Sequence, residues 1–275
     1  ERHDVIERLL AQGQAVDVNT YDPGIMEYGT TYYWRVDEVN APAAPGTYTG
    51  KVWSFKTELE GYPLLPASIV NVTSFGDVYP DEPDRQDPNS TCTGAGLDAN
   101  DMHGTNMKTM WLGMDEGAYL KYEFDKAYKL YDMLVWNYNE EAPNNEYFGA
   151  KDVKVEYSLD GTSWTEVNDV PEFALATGDN KCIANTQVLF KGANAKYVKL
   201  TFLSGWGDMG LYGISEVRFS AIPTYSSVPS PATAATNIEV NAELSWKSGR
   251  DASEHIVYVS TDETAVKEGT GTALS

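Results

Sequence analysis

The sequence holds little of what metal or nucleophilic chemistry needs: two cysteines, Cys92 and Cys182, and three histidines, His3, His103 and His255, in 275 residues. The cysteines lack the paired CxxC spacing of a zinc site, and the histidines are too scattered to suggest a triad or a metal cage. No HExxH, GxSxG or phosphate-binding loop occurs, and carboxylates are so numerous that no pair stands out as a glycosidase couple. The chain therefore reads as non-catalytic. Basic residues are also scarce, 20 against 41 acidic, for a formal charge of −21. Such a surface is repelled by phosphate backbones and anionic lipid, which excludes nucleic acid as a natural partner and favours solubility. No apolar run approaches the roughly 20 residues of a spanning helix, so no membrane insertion is expected, and the first residues show no signal-peptide layout. Cys92 and Cys182 leave two readings open, one disulfide between loops or two free thiols. Asn71-Val-Thr and Asn89-Ser-Thr fit the glycosylation triplet.

What the chain does have is apolar and aromatic content, 42% and 12%, enough for the cores of about two domains. Three blocks emerge. In residues 1–60, a short helical pattern (Val5, Ile6, Leu9, Leu10) precedes "GTTYYWRVDEVN", where Tyr32, Trp34 and Val36 alternate with Tyr33, Arg35 and Asp37. The turn-rich "APAAPGTYTG" then leads into "GKVWSFKTE", which predicts a hairpin. Residues 61–222 contain "YLKYEF", "YDMLVWNYN", "KDVKVEYS", "TQVLFKG", "KYVKLTF" and "ISEVRF", separated by Gly, Asn, Asp and Pro clusters, the pattern of an all-β sandwich or jelly roll. Residues 223–275 follow the linker "PTYSSVPSP" with two more strand candidates, "IEVNAELSWKSG" and "EHIVYVSTDETAV". Neither end block can bury a sheet alone, because a sandwich core needs both faces.

In the middle block, "YLKYEFDKAYKLYDMLVWNYN", "FGAKDVKVEYSLDGTSWTEV", "AKYVKLTF" and "YGISEVRF" resemble, in order and spacing, the discoidin or coagulation factor V/VIII type C domain. The sugar-binding members of that family form carbohydrate-binding module family 32. The hairpin "YSLDGTSWTEV", with Asp160-Gly161 at its turn, is the sharpest element. The flanking blocks resemble complementary halves of a fibronectin type III or immunoglobulin-like sandwich, with Trp246 as core tryptophan and Tyr32 closing a corner. Such halves could close within one chain, complement each other head-to-tail between chains, or mark one period of a tandem array. The resemblance implies a non-catalytic jelly roll that binds glycan at its loops, secreted or at a bacterial cell surface, in adhesion. The alternative is a structural repeat of an extracellular fibre or surface layer.

The resemblance also implies Ca²⁺ near the loops. The matching residues are Asp98 or Asp101 in "LDANDMHGTNMKTMW", Thr109 ahead of Trp111, and Glu216 in "ISEVRF". About ten residues separate Asp98 from Thr109, more than the family usually has. Oxygen donors of this kind suit a hard ion. For the ligand, a sugar needs an aromatic face and planar polar groups. The loops offer Arg85, His103, Asn139, Asn144, Tyr147 and Trp206, the last flanked by glycines. Trp111, Trp136 and Trp164 lie in strand patterns and are expected in the core. A link between Cys92 and Cys182 would tie two loops of the middle block together.

Overall fold

The computed structural model describes residues 17–39, 46–81, 86–141, 143 and 145–269. The helical pattern expected at Val5 to Leu10, and the site candidates Arg85 and Asn144, lie outside them. The chain divides into two compact units, Glu1–Leu59 and Glu60–Ser275.

The first unit is a nested antiparallel ribbon. β1 (Thr31–Trp34) pairs with β4 (Trp53–Lys56), and β2 (Glu38–Val39) pairs with β3 (Thr47–Tyr48). Because side chains alternate along a strand, the register Tyr32↔Phe55 and Trp34↔Trp53 places four aromatics on one face. Trp34 and Trp53 lie 4.7 Å apart and Tyr32 and Phe55 5.9 Å apart, yet Trp34, Trp53 and Phe55 all remain exposed. The Tyr32 hydroxyl accepts a hydrogen bond from the Glu27 backbone N–H at 3.0 Å, closing a corner upstream of its own strand.

The second unit is a β-sandwich. Its strands are β5 (Tyr62–Pro63), β6 (Ile69–Phe75), β7 (Trp111–Gly113), β8 (Tyr119–Asn137), β9 (Val153–Ser158), β10 (Thr165–Glu166), β11 (Thr186–Phe202) and β12 (Tyr212–Ala221). They run in the order β10-β9-β11-β8-β12-β5, with β6 also on β8 and β7 on β12. Two strands are longer than the segments expected from sequence. "YLKYEF" and "YDMLVWNYN" join into β8, and "TQVLFKG" and "KYVKLTF" join into β11. Their joints bend. In β8 the buried positions run Leu120, Tyr122, Phe124, Leu130 and then shift to Met133 and Val135, and the ladder with β12 is irregular between Ser220 and Ala221. Through such bends the first half of β8 pairs with β6 and the second half with β12, so one strand serves two layers. Between the layers, Trp111, Tyr122, Phe124, Met133, Phe202 and Phe219 form a continuous core, with edge-on aromatic pairs such as Phe124 and Phe219 at 5.1 Å. Trp111 and Trp136 are buried as expected, whereas Trp164 is half-buried beneath the Lys199 ammonium at 4.5 Å.

After β12 the chain forms a two-stranded sheet, β13 (Ser227–Ser230) with β14 (Ser245–Lys247), and one short helix, α1 (Glu263–Lys267), capped by the Asp262 carboxylate. Lys129 of β8 pairs with Asp251 of this segment. "EHIVYV", expected as a strand, contributes only an isolated bridge residue at Tyr258, and Ile256 and Val259 are exposed. A strand with no second layer against it gains little from its apolar face.

Candidate ligand-binding loops

The sandwich carries a cleft between two loops that follow β8 and β11. A 3-10 turn, Asn145–Phe148, forms one wall, and residues 207–211 form the other. The cleft encloses about 330 Å³ and is lined by Tyr147, Phe148, Gly207, Asp208, Met209 and Leu211. Glycines allow the loops to approach. A Cβ on Gly205 would fall 2.3 Å from the Leu211 carbonyl oxygen, and one on Gly207 would fall 3.0 Å from the Tyr147 carbonyl oxygen. Trp206 locks the arrangement: its backbone N–H donates to the Gly149 carbonyl at 3.0 Å and its indole N–H to the Phe173 carbonyl at 2.8 Å. The Lys151 ammonium sits over the ring at 5.1 Å. Trp206 is thus half-buried and braces the cleft, while Tyr147 and Met209 present exposed surface to it.

Beneath the cleft, Tyr138 is fully buried and packs near Phe148. Its hydroxyl accepts from the Gln86 amide at 3.0 Å and donates to Glu140 at 2.8 Å. Burial, then the bond to Glu140, holds its pKa well above the usual phenol value. Beside Tyr147 in the chain, Oε2 of Glu146 is buried with no hydrogen-bond partner among the described residues.

Two expected ligand contacts are corrected by burial. Asn139 is fully buried, and its amide is used up internally. Nδ2 donates to the carbonyls of His103 at 3.0 Å, Gly104 at 3.2 Å and Asp179 at 2.7 Å, and Oδ1 accepts from the Gly178 N–H at 2.8 Å. It ties three chain segments together and has nothing left for a ligand. His103 is also fully buried. Nδ1 lies 2.8 Å from the Gly104 carbonyl, which can only accept, so this nitrogen carries the proton. Burial holds its pKa below the ordinary imidazole value, leaving a neutral ring packed on Gly96, where a Cβ would fall 2.0 Å from Nε2. Of the four expected contacts among the described residues, Tyr147 lines the cleft and Trp206 precedes its wall at Gly207 without lining it.

Both cysteines are free thiols, so the disulfide is not formed. Cys92 belongs to the sandwich core, its thiol turned to the Asn89 carbonyl at 3.4 Å, whereas Cys182 turns to the Ile183 carbonyl at 3.7 Å. Burial foremost pushes Cys92 up to about 12 and raises Cys182, so neither is a ready thiolate.

Of the four expected calcium ligands, Asp101 and Glu216 come to the same arginine, and each of the four is engaged within the protein. Asp98 caps its own turn, with Oδ1 accepting from the N–H groups of Asn100 at 2.7 Å and Met102 at 3.0 Å; these bonds lower its pKa. The Thr109 hydroxyl donates to the Asn106 carbonyl at 2.8 Å. Asp101 is engaged by Arg218 at 2.7 Å. Glu216 is fully buried and accepts from the Gly94 N–H at 2.9 and 3.1 Å. Burial pushes Glu216 up to about 8 against the opposing pull of Gly94 and Arg218. Among the described residues no group of three or more His, Cys, Asp and Glu could hold a metal, and calcium asks for six to eight oxygens. Sequence reasoning passed over Arg218, although its place two residues beyond Glu216 in a strand puts both on one face. It also passed over Met209 and Leu211, where a cleft wall is indistinguishable from an ordinary apolar loop.

Residues 87–217 match the model of the F5/8 type C domain. No curated protein matches the chain. Among solved structures, the chain is similar to CBM32-3 from a family 31 glycoside hydrolase of Clostridium perfringens, at 19% identity and a TM-score of 0.44, over 58% of this chain and 95% of that one. It is also similar to the family 32 module of C. perfringens NanJ, solved in complex with galactose, at 16% identity and a TM-score of 0.41, over 58% and 98%. A third, CpGH89CBM32-5 from C. perfringens in complex with GalNAc-β-1,3-galactose, is 16% identical with a TM-score of 0.40, over 57% and 99%.

Proposed function

We propose that the protein is a non-catalytic carbohydrate-binding module that takes a sugar in the cleft between Tyr147 and residues 207–211. The observation that carries this reading is the cleft itself: an exposed aromatic ring on one wall, Met209 and Leu211 on the other, and the Asp208 carboxylate among them. An aromatic face covers the C–H surface of a pyranose while a carboxylate accepts from its hydroxyls, and the volume falls in the range of small-molecule sites. The match to the F5/8 type C domain supports the same reading. Secretion, and a place in a larger adhesive protein, belong to the proposal. Titration against a panel of immobilised glycans tests it. Tyr147→Ala is expected to weaken retention at least about tenfold with an unchanged circular dichroism spectrum, and full retention by that variant rejects the cleft as the site.

A second reading, assembly between copies, is favoured by the aromatic face of the β1–β4 ribbon, which is apolar and exposed. It pictures that face covered by strands of a neighbouring molecule.

A further inference from the structure

We propose that Arg218 is the resident cation of the loop cluster at Gly94, Asp101 and Glu216, holding together with a guanidinium what a divalent ion would otherwise hold. The sandwich is then stable without calcium.

Glu216 and Arg218 project from the same face of β12, because side chains two apart in a strand share a face. Arg218 Nη1 meets Asp101 Oδ1 at 2.7 Å, and its Nε stands 4.0 Å from Glu216 Oε1. The guanidinium lies over the Trp136 ring at 5.6 Å, and the Trp136 indole N–H donates to the Asp101 carbonyl at 2.9 Å. Arginine, ring and acidic loop therefore form one closed set. The far nitrogen of Arg218 reaches to 3.5 Å from where a Cβ of Gly94 would stand, and Gly94, at φ +74°, turns its N–H onto Glu216. Of the groups that calcium would have to gather, Arg218 thus bonds Asp101 and stands beside Glu216, while Asp98 and Thr109 keep partners in their own turns. A planar, permanently charged fork with several donors suits this task better than a lysine. Asp101 takes a left-handed backbone conformation, φ 58°, in the segment between Asp98 and Thr109.

Thermal unfolding of the full chain tests the proposal. Wild type in millimolar calcium and in EDTA should melt at the same temperature, since an ion that binds only the native state would raise it by mass action. A rise of more than about 2 °C with calcium overturns the proposal. Arg218→Met should lower the melting temperature by about 2–6 °C, and an unchanged value overturns it too. Should Arg218→Met fail to fold, Asp101→Asn, at an exposed carboxylate, carries the same test with a loss of about 2–4 °C. Where both variants fold, their losses should not add, because each removes the same pair. Simple additivity overturns the proposal.

Discussion

Asn139 shows how much one side chain can decide. Its four hydrogen bonds bind the segments around His103, Gly178 and Asp179 to the end of β8. Asn139→Ala takes this partner from the His103 and Asp179 carbonyls and the Gly178 N–H, while the Gly104 carbonyl keeps the His103 Nδ1–H. Stability should fall on the order of 3 kcal/mol, measured by denaturant unfolding. A sugar contact at the surface would instead leave stability unchanged and remove binding. From sequence, an asparagine after a strand in a polar loop has the same appearance in either role, because what separates them is whether other loops close over it. Tyr147 had the same two readings, and there the loop leaves the ring exposed. Trp206 falls between: its flanking glycines do mark a special position, but they serve close approach of the loops, and the indole braces the cleft from the side.

At the scale of elements, the hairpin β9–β10 was the most legible piece of the chain. Asp160-Gly161 marks its turn, and Gly161 takes φ +74° there. Asp160 accepts from the N–H groups of Thr162 at 2.8 Å and Ser163 at 2.7 Å, and from the Ser163 hydroxyl at 3.0 Å. These bonds, the backbone ones first, hold its pKa below the ordinary carboxylate value. A carboxyl with a depressed folded pKa contributes stability that is fully present above the unfolded value of about 3.9, and this is lost as pH falls through the folded value. Melting temperatures from pH 6 down to pH 2 should therefore drop less steeply for Asp160→Ala than for wild type, from a lower start. Equal acid limbs would show that the turn does not depend on the charge. The long strands were less legible than this turn. Exposed Asp125, Lys126 and Ala127 look like a loop between two strands, whereas backbone pairing with β11 continues beyond them and makes the segment a bend. Local polarity reports exposure, and a strand that turns between two layers is exposed at its bend.

For the molecule as a whole, the all-β sandwich could be read because its apolar alternation recurs many times with turn residues between. The end blocks read, from sequence, as complementary halves of a fibronectin type III or immunoglobulin-like sandwich, whereas their described residues form two-stranded sheets, which have no inner layer to record in their own pattern. β1 and β4 turn Tyr32, Trp34, Trp53 and Phe55 to one face, and β13 and β14 form a second two-stranded sheet near exposed Ile238, Val240 and Leu244. Isolated two-stranded sheets are marginal in water, and aromatic faces of this kind gain most by being covered. If copies cover one another, light scattering after size exclusion should show a mass that rises with concentration. Because the contact is largely apolar, the rise should persist in high salt, where charge pairing is screened but the chain's own negative charge no longer opposes approach. Trp53→Asp puts a charge in the middle of the face and should return the mass to that of one chain at every concentration, without moving glycan retention through Tyr147. A wild-type mass fixed at one chain throughout would remove assembly and leave the cleft as the functional surface.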